Sequence, residues 1–306
     1  FMNPTPNTSN NTATAYQEYA TTPSMNKVAG FYAGAQVVSI TSPDPNITIR
    51  YTTNGTNPTG TSAVYSTPIN VSATTVLRAK AFSSTSTIPA SFIESNTFFI
   101  NSPHTVNVMS VFGDQLSTLM SGNTITPQIG VEYFDSSGTF RTEGYGEANK
   151  HGNDSWAYAQ RGIDFVCRDQ YGYNYALTHR LFNMKARKEF QHVIMKAAAN
   201  DNYPFEGVPN TNFPGEFGGA HIRDQYVHTV SQKAGLHLDE RTWAPLVMYI
   251  NGQYWGLYDL REKVDDKDFM KYYHNTKEDS LQMLKTWGGT WSEYGGPQAQ
   301  TDWNNF

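Results

Sequence analysis

The stretch Trp243-Ala-Pro-Leu-Val-Met-Tyr-Ile-Asn-Gly-Gln-Tyr-Trp-Gly-Leu-Tyr-Asp-Leu-Arg-Glu-Lys-Val-Asp-Asp-Lys-Asp-Phe269 decides how this chain folds. Asn251-Gly252 stands between two apolar runs and supplies the two positive-φ positions of a type I′ turn. A two-residue loop pairs Ile250 with Gln253, Tyr249 with Tyr254, Met248 with Trp255 and Leu246 with Leu257. Both faces are mostly apolar, so the hairpin is expected inside a sheet and buried on both sides. Its second strand ends in charge at Asp259, Arg261 and Glu262. Asp265 or Asp266 then reads as the N-cap of a short helix carrying Phe269, Tyr272 and Tyr273.

Working outward, 306 residues suggest two domains at roughly 100–200 residues each. Hydrophobics at 38% and aromatics at 14% exclude a disordered chain. A net charge of −5 implies no basic face, which argues against a nucleic-acid partner. The one basic cluster, Lys185-Ala186-Arg187-Lys188, reads as a solvated face. Cys167 is the single cysteine and reads as a small core residue. No apolar run approaches the ~20 residues that span a bilayer. The polar opening at Phe1 carries no signal peptide and reads like the middle of a longer protein.

Residues 8–25 are rich in Thr, Ser and Asn and read as an extended linker. Between 26 and 101, short strands recur at sandwich-like spacing. Ile47, Ile49 and Tyr51 alternate with Thr48, Arg50 and Thr52, Asn54-Gly55 makes a turn, and Val64-Tyr65, Ile69–Val71, Val76–Phe82 and Phe98–Ile100 follow. Pro103 marks a boundary. Ile129–Phe134 and Ile163–Arg168 read as strands, and Gly144 to Ser155 between them as a loop rich in glycine and small polar residues. Such loops bring backbone N–H groups close to phosphates. Phe190–Met195 is a further strand, and 200–219, with three prolines, a loop. Ile222, Tyr226, Val227 and Val230 share one face of a helix from about His221 to a C′ glycine at Gly235. Residues 277–285 read as another strand, and Trp287–Phe306 as a Gly- and Trp-rich tail.

Two resemblances follow from these residues. Gly30-Phe31-Tyr32, Ile49-Arg50-Tyr51-Thr52-Thr53-Asn54-Gly55-Thr56-Asn57-Pro58-Thr59, Tyr65 and Val76-Leu77-Arg78-Ala79-Lys80-Ala81 resemble the chitobiase/β-hexosaminidase C-terminal-like module, an accessory of secreted bacterial proteins. Its Tyr32 and Tyr65 either bind glycans or pack the sandwich. Phe1–Asn7 resembles the end of a lamin-tail-like domain. The central hairpin, with Gly256-Leu257-Tyr258 and Leu260-Arg261-Glu262-Lys263, resembles the spore coat protein H (CotH) family of atypical kinases. The resemblance runs from about 105 to 306.

The fold class expected is therefore multidomain: residues 1–25 as linker, a small all-β sandwich over 26–101, and an α+β, partial protein-kinase-like domain over 105–306. The kinase resemblance implies ATP and magnesium as cofactors. It implies nucleotide contacts from Gly152, Asn153 and Ser155, and a phosphate-holding cation at Arg161, where the family has lysine; Gly162 stands where it has serine. It places Glu262 at the nucleotide cleft. Asp224 would pair with the phosphate-holding cation or only favour its helix N-terminus. Asp265 and Asp266 are either metal ligands or caps. No segment after Lys285 resembles the family's catalytic Asn-x-Asp and Trp-Asp-x-Asp, so the chain is part of a longer kinase domain or has lost the chemistry. A secreted or cell-surface bacterial protein is implied. Its expected partners are other surface or secreted proteins, glycans and further domains of the same polypeptide. A non-catalytic, structural or adhesive role is the alternative.

Overall fold

The computed structural model describes residues 18–152, 156, 158–172, 174–198, 201–202 and 220–306. Most of the expected linker, the segment Asn153-Asp154-Ser155 and all but two residues of the proline-rich loop lie outside the described residues.

The N-terminal part is β-rich. Strands β1 (Gly30–Tyr32), β2 (Ile47–Thr52), β3 (Ala63–Val64), β4 (Thr75–Ser83) and β5 (Glu94–Ile100) form one sheet in the order β1-β5-β4-β2-β3. Two short two-stranded sheets, Gln36–Val38 with Ile69–Val71 and Ser24–Met25 with Ile40–Thr41, accompany it. The alternation read from the sequence places Ile49 and Tyr51 against a core of Val38, Ile40, Val71, Leu77, Ala79, Phe98 and Ile100. Tyr32 and Tyr65 pack against that same core, and Tyr32 donates its hydroxyl proton to the Val28 carbonyl.

The C-terminal part is dominated by a closed barrel of β6 (Asn107–Phe112), β7 (Gln128–Phe134), β8 (Phe140–His151), β9 (Gly162–Cys167), β10 (His192–Lys196), β11 (Trp243–Ile250) and β12 (Gln253–Glu262). The order is β6-β7-β8-β9-β10-β12-β11, and the parallel pair β6–β11 closes the ring. Period-two alternation sends Val131, Ile163, Phe165, Val193, Met195, Met248, Tyr258 and Leu260 inward, where they are fully buried. The interior is thus packed with side chains. Among the described residues helices are few, α1 (Leu116–Met120), α2 (Arg223–Ala234), α3 (Lys267–His274) and α4 (Gly296–Asn305), so the part expected to be α+β is dominated by its strands.

The central hairpin forms with Asn251 at φ 50° and Gly252 at φ 82°. Its register holds for Ile250–Gln253 and Tyr249–Tyr254, then slips, so Met248 faces Gly256 and Leu246 faces Tyr258. Gly256, at φ 133°, absorbs the extra residue as a bulge. Other expectations are corrected. Gly144 and Gly146 lie inside the twelve-residue strand β8, and the chain leaves the sheet only at Gly152. A Cβ on Gly146 would sit 1.8 Å from the Val166 carbonyl oxygen, so glycine is there for strand proximity rather than for a loop. Strand structure after residue 277 is confined to β13 (Met283–Thr286), which pairs with β14 (Thr290–Tyr294); the tail then forms α4. Helix α2 ends at Gly235 as read, but Ile222, Tyr226, Val227 and Val230 are exposed, and its polar residues face the barrel.

The two parts share a seam. Ser95, Thr97 and Phe99 of β5 point at the barrel while Phe98 and Ile100 fill the sandwich. Phe99 stacks on Phe31 and meets Phe134 and Tyr249 edge-on. Thr97 Oγ1 lies 2.7 Å from Ser110 Oγ, and the Thr97 amide donates to the buried Glu132 carboxylate. The two Asn-Gly turns nest: a Cβ on Gly55 would fall 2.4 Å from Asn251 Oδ1. Asn57 donates twice to Asp114 at the edge of this contact.

Candidate functional site

On the outer face of β9, β10 and β12, charged side chains meet α2. Ile163 pairs with Met195 and Lys196 with Asp259, so Lys196 ends its strand beside Gly162, where the loop from Gly152 to Arg161 rejoins the sheet. The Lys196 ammonium donates to Asp224 in the first turn of α2, and Arg261 Nη1 reaches the same Asp224 oxygen at 3.1 Å. Arg261 Nη2 also bridges to Asp259 at 3.1 Å, and Gln225 of α2 donates to that carboxylate. Burial pushes the Asp224 carboxyl up, but the Lys196 and Arg261 cations outweigh it and bring its pKa down to about 2. Burial, reinforced by the Arg261 cation, lowers the Lys196 ammonium despite Asp224. Burial raises Asp259, against the pull of Arg261. The arrangement is a cation at the end of β10, beside Gly162 at the start of β9, held by an acid of α2.

A second network covers the neighbouring part of the same face. His151 Nδ1 lies 2.7 Å from Asp164 Oδ1, and Lys263 donates to Asp164 Oδ2 at 3.1 Å; His192 Nδ1 meets Asp266 at 3.2 Å. Lys263 and Lys285 both reach Asp265, at 3.3 and 2.6 Å. Burial raises the Asp265 carboxyl, and the two lysines outweigh it and hold it well below the usual range. Asp266 occupies the N-cap position of α3, as read, with its carboxylate turned to His192 and Tyr294. Each of these two aspartates thus has a cationic or hydrogen-bonding partner. Among the described residues no group of three or more His, Cys, Asp or Glu side chains is placed to hold a metal ion.

The residues singled out from sequence fall apart into separate environments. Gly152, at φ 95°, starts the loop between β8 and β9. Asn153 and Ser155 lie outside the described residues. Arg161 ends that loop, but its guanidinium donates to the backbone carbonyls of Trp156 at 2.9 Å and Met120 at 2.8 Å and lies over the Trp156 ring. Among the described residues it makes no ion pair, so the expected Arg161–Asp224 pairing is not formed. Arg161 lies just before β9, where its guanidinium is taken up by the carbonyl of Met120 at the end of α1 and by that of Trp156 in its own segment.

Glu262 is also displaced from expectation. Its parity with Tyr258 and Leu260 turns it off the α2 face, and its side chain is fully buried. Arg187 Nη1 donates to Glu262 Oε1 at 3.0 Å, as does the Tyr273 hydroxyl, also at 3.0 Å. Arg187 further donates to Asp268 of α3 and to the Glu189 carbonyl, and lies over the rings of Phe190 and Tyr272. Arg187 is only 2% exposed, so within the basic cluster at 185–188 this cation is not solvated, whereas Lys188 is exposed as read. Burial raises the Glu262 carboxyl, and Arg187 partly restores it. Cys167 is a buried core residue whose thiol burial pushes up to about 12.

Sequence reading missed Lys196, Arg261 and Arg187. A signal for the first existed: Val193-Ile194-Met195-Lys196 is an apolar strand ending in lysine, like the Val-Ala-Ile-Lys strand of protein kinases. No comparable pattern marks Arg187, whose acids lie 75 and 81 positions away.

Comparison with known families gives two matches, in chain order. Residues 27–92 match the chitobiase/beta-hexosaminidase C-terminal domain, and residues 182–302 match the CotH kinase protein family. The second match contains Lys196, Asp224, Arg187 and Glu262 and begins after Gly152 and Arg161. No curated protein matches the chain. No helix among the described residues is long and apolar enough to cross a membrane.

Proposed function

We propose that the face between the loop 152–161, strand β10 and helix α2 is the phosphate-holding half of a kinase-like nucleotide site. Lys196, not Arg161, is its cation. One observation carries the reading: a lysine at the end of β10, the last of the three neighbouring antiparallel strands β8, β9 and β10, is paired with an acid on α2, beside the point where β9 begins at Gly162. Protein kinases place a lysine and a helix acid in this relation, under a glycine-rich loop that covers the phosphates. The Lys196 ammonium would contact phosphate oxygens, Asp224 would fix its direction, and Arg261 would keep Asp224 ionised.

ATP with magnesium is the nucleotide this assignment calls for, and protein hydroxyls are the proposed acceptors. The metal supplies charge neutralisation at the phosphates. The cation of Lys196 supports phosphate binding, and among the described residues no three His, Cys, Asp or Glu side chains are placed to hold the magnesium ion. Secretion or surface display, in a bacterium and with other surface proteins or glycans as partners, accompanies this proposal on the strength of the accessory module alone.

The test is a thermal shift with ATP and magnesium. At 100 times its dissociation constant a ligand stabilises by about 2.7 kcal/mol, a shift of several degrees. Lys196→Met should abolish it while leaving the unliganded melting temperature within a few degrees, because Arg261 still pairs with Asp224. An unchanged shift in that variant removes Lys196 from the site. A second reading, a non-catalytic scaffold, is favoured by the buried Arg187–Glu262–Asp268 lock. It gains if the wild-type chain shows no shift at all.

A further inference from the structure

We propose that the cleft between the sandwich and the barrel captures the carboxylate of an acidic peptide on Lys80. The cleft measures about 230 Å³ and draws its lining from both parts, with Lys80 and Phe92 on one side and Gln128, Tyr145, Gln170 and Tyr171 on the other. It therefore exists only while the two are docked, and it owes nothing to the nucleotide reading. It lies below the roughly 300–1,000 Å³ of drug-sized sites, which suits one amino-acid residue.

Lys80 is the decisive group. Lys196, Lys263 and Lys285 are also partly buried, and each faces an aspartate. Lys80 faces no carboxylate among the described residues; its ammonium lies over the Phe82 ring, 5.8 Å from the centroid. Burial lowers its ammonium pKa, and the cation of Arg78, two residues along β4, lowers it further. A half-buried lysine beside a second cation, with no counter-charge, is a place where an incoming anion is favoured.

The walls decide which anion. One face of Phe92 is stacked by Tyr19 at 5.0 Å, and a Cβ on Gly172 would lie 2.3 Å from its ring. Tyr19 and Gly172 thus both crowd the Phe92 ring, and the edge of an aromatic ring is its electropositive part. The exposed Gln128 and Gln170 side-chain amides line the cleft, and each offers a donor and an acceptor, as a peptide group requires. A short acidic peptide uses all three features.

The experiment titrates the intact chain with acetyl-Gly-Glu-Gly-amide and acetyl-Gly-Gln-Gly-amide, read by amide chemical shifts at low salt. The acidic peptide should bind and shift cleft residues, and the neutral one should bind at least tenfold more weakly. Lys80→Gln should weaken the acidic peptide about tenfold, and Lys80→Arg should retain binding, which separates lost charge from lost fold. Weakening by salt is expected for a half-exposed cation. Equal binding of both peptides, or an unaffected Lys80→Gln variant, overturns the proposal. Glucuronate binding as tightly as the glutamate peptide overturns the assignment to a peptide.

Discussion

Arg187→Met tests whether the buried ion pair holds α3 to the barrel. Arg187 is 2% exposed and Glu262 fully buried. Methionine fills much of the stem volume but removes the donors to Glu262, to Asp268 and to the Glu189 carbonyl. Glu262 keeps only the Tyr273 hydroxyl. Removing one partner of a buried pair strands the other charge and costs about 3–5 kcal/mol. At roughly 2–4 °C per kcal/mol for a unit of 150–250 residues, the melting temperature should fall by about 6–20 °C. The loss should depend on pH. Glu262 already has a raised folded-state pKa, and without Arg187 it rises further, so the native state holds a proton that the unfolded chain releases. Stability of the variant then falls as pH climbs from the unfolded carboxylate range through the folded pKa, and the deficit is smallest near pH 5. Calorimetry at pH 5 and pH 8 reads both effects. The double variant Arg187→Met/Glu262→Leu should recover most of the loss, since an apolar pair replaces the ionic one. A deficit below about 1 kcal/mol, equal at both pH values, would refute the lock.

Three further outcomes are expected. Gly55→Ala, at φ 76° and against Asn251, should destabilise by about 1–3 kcal/mol and make the sandwich more susceptible to limited proteolysis, by parting the nested turns. Burial, with some help from the Glu94 charge, raises Glu143 to about 7, so the native state binds more protons than the unfolded one between about 4.5 and 7. Stability is full below that window and falls across it; Glu143→Gln should flatten the slope, read as melting temperature against pH. Cys167 should resist alkylation in the folded chain at pH 8 and react fully in denaturant, because only the thiolate is nucleophilic.

The hairpin was legible because its cause is local. Asn251-Gly252 fixes the turn; what escaped is the bulge at Gly256, where Gln160 crowds the backbone from ninety-six positions away, and the exposure of Gln253 and Tyr254 in a hairpin read as buried on both sides. The sandwich strands were legible for the same reason: a period of two with one buried face needs no knowledge of the partner. The face of α2 was not, since helical spacing reports an apolar stripe but not which side meets the barrel. The candidate site was half legible. Asp224 was placed on the right helix, but its partner was sought at Arg161, whose guanidinium is spent on carbonyls, and Lys196 was passed over at the end of its strand.

The sequence by itself determined the β-rich character of the N-terminal part, the turn at 251–252 and the helix ending at Gly235, because each rests on neighbours within a few residues. Tertiary structure alone decided that the seven strands close into a barrel and that the two Asn-Gly turns nest. It also decided which cation meets which acid: Lys196 with Asp224, and Arg187 with Glu262 and Asp268. Charge pairing at separations of 28 to 81 positions depends on strand order and on which face each residue turns outward, and no local pattern encodes either.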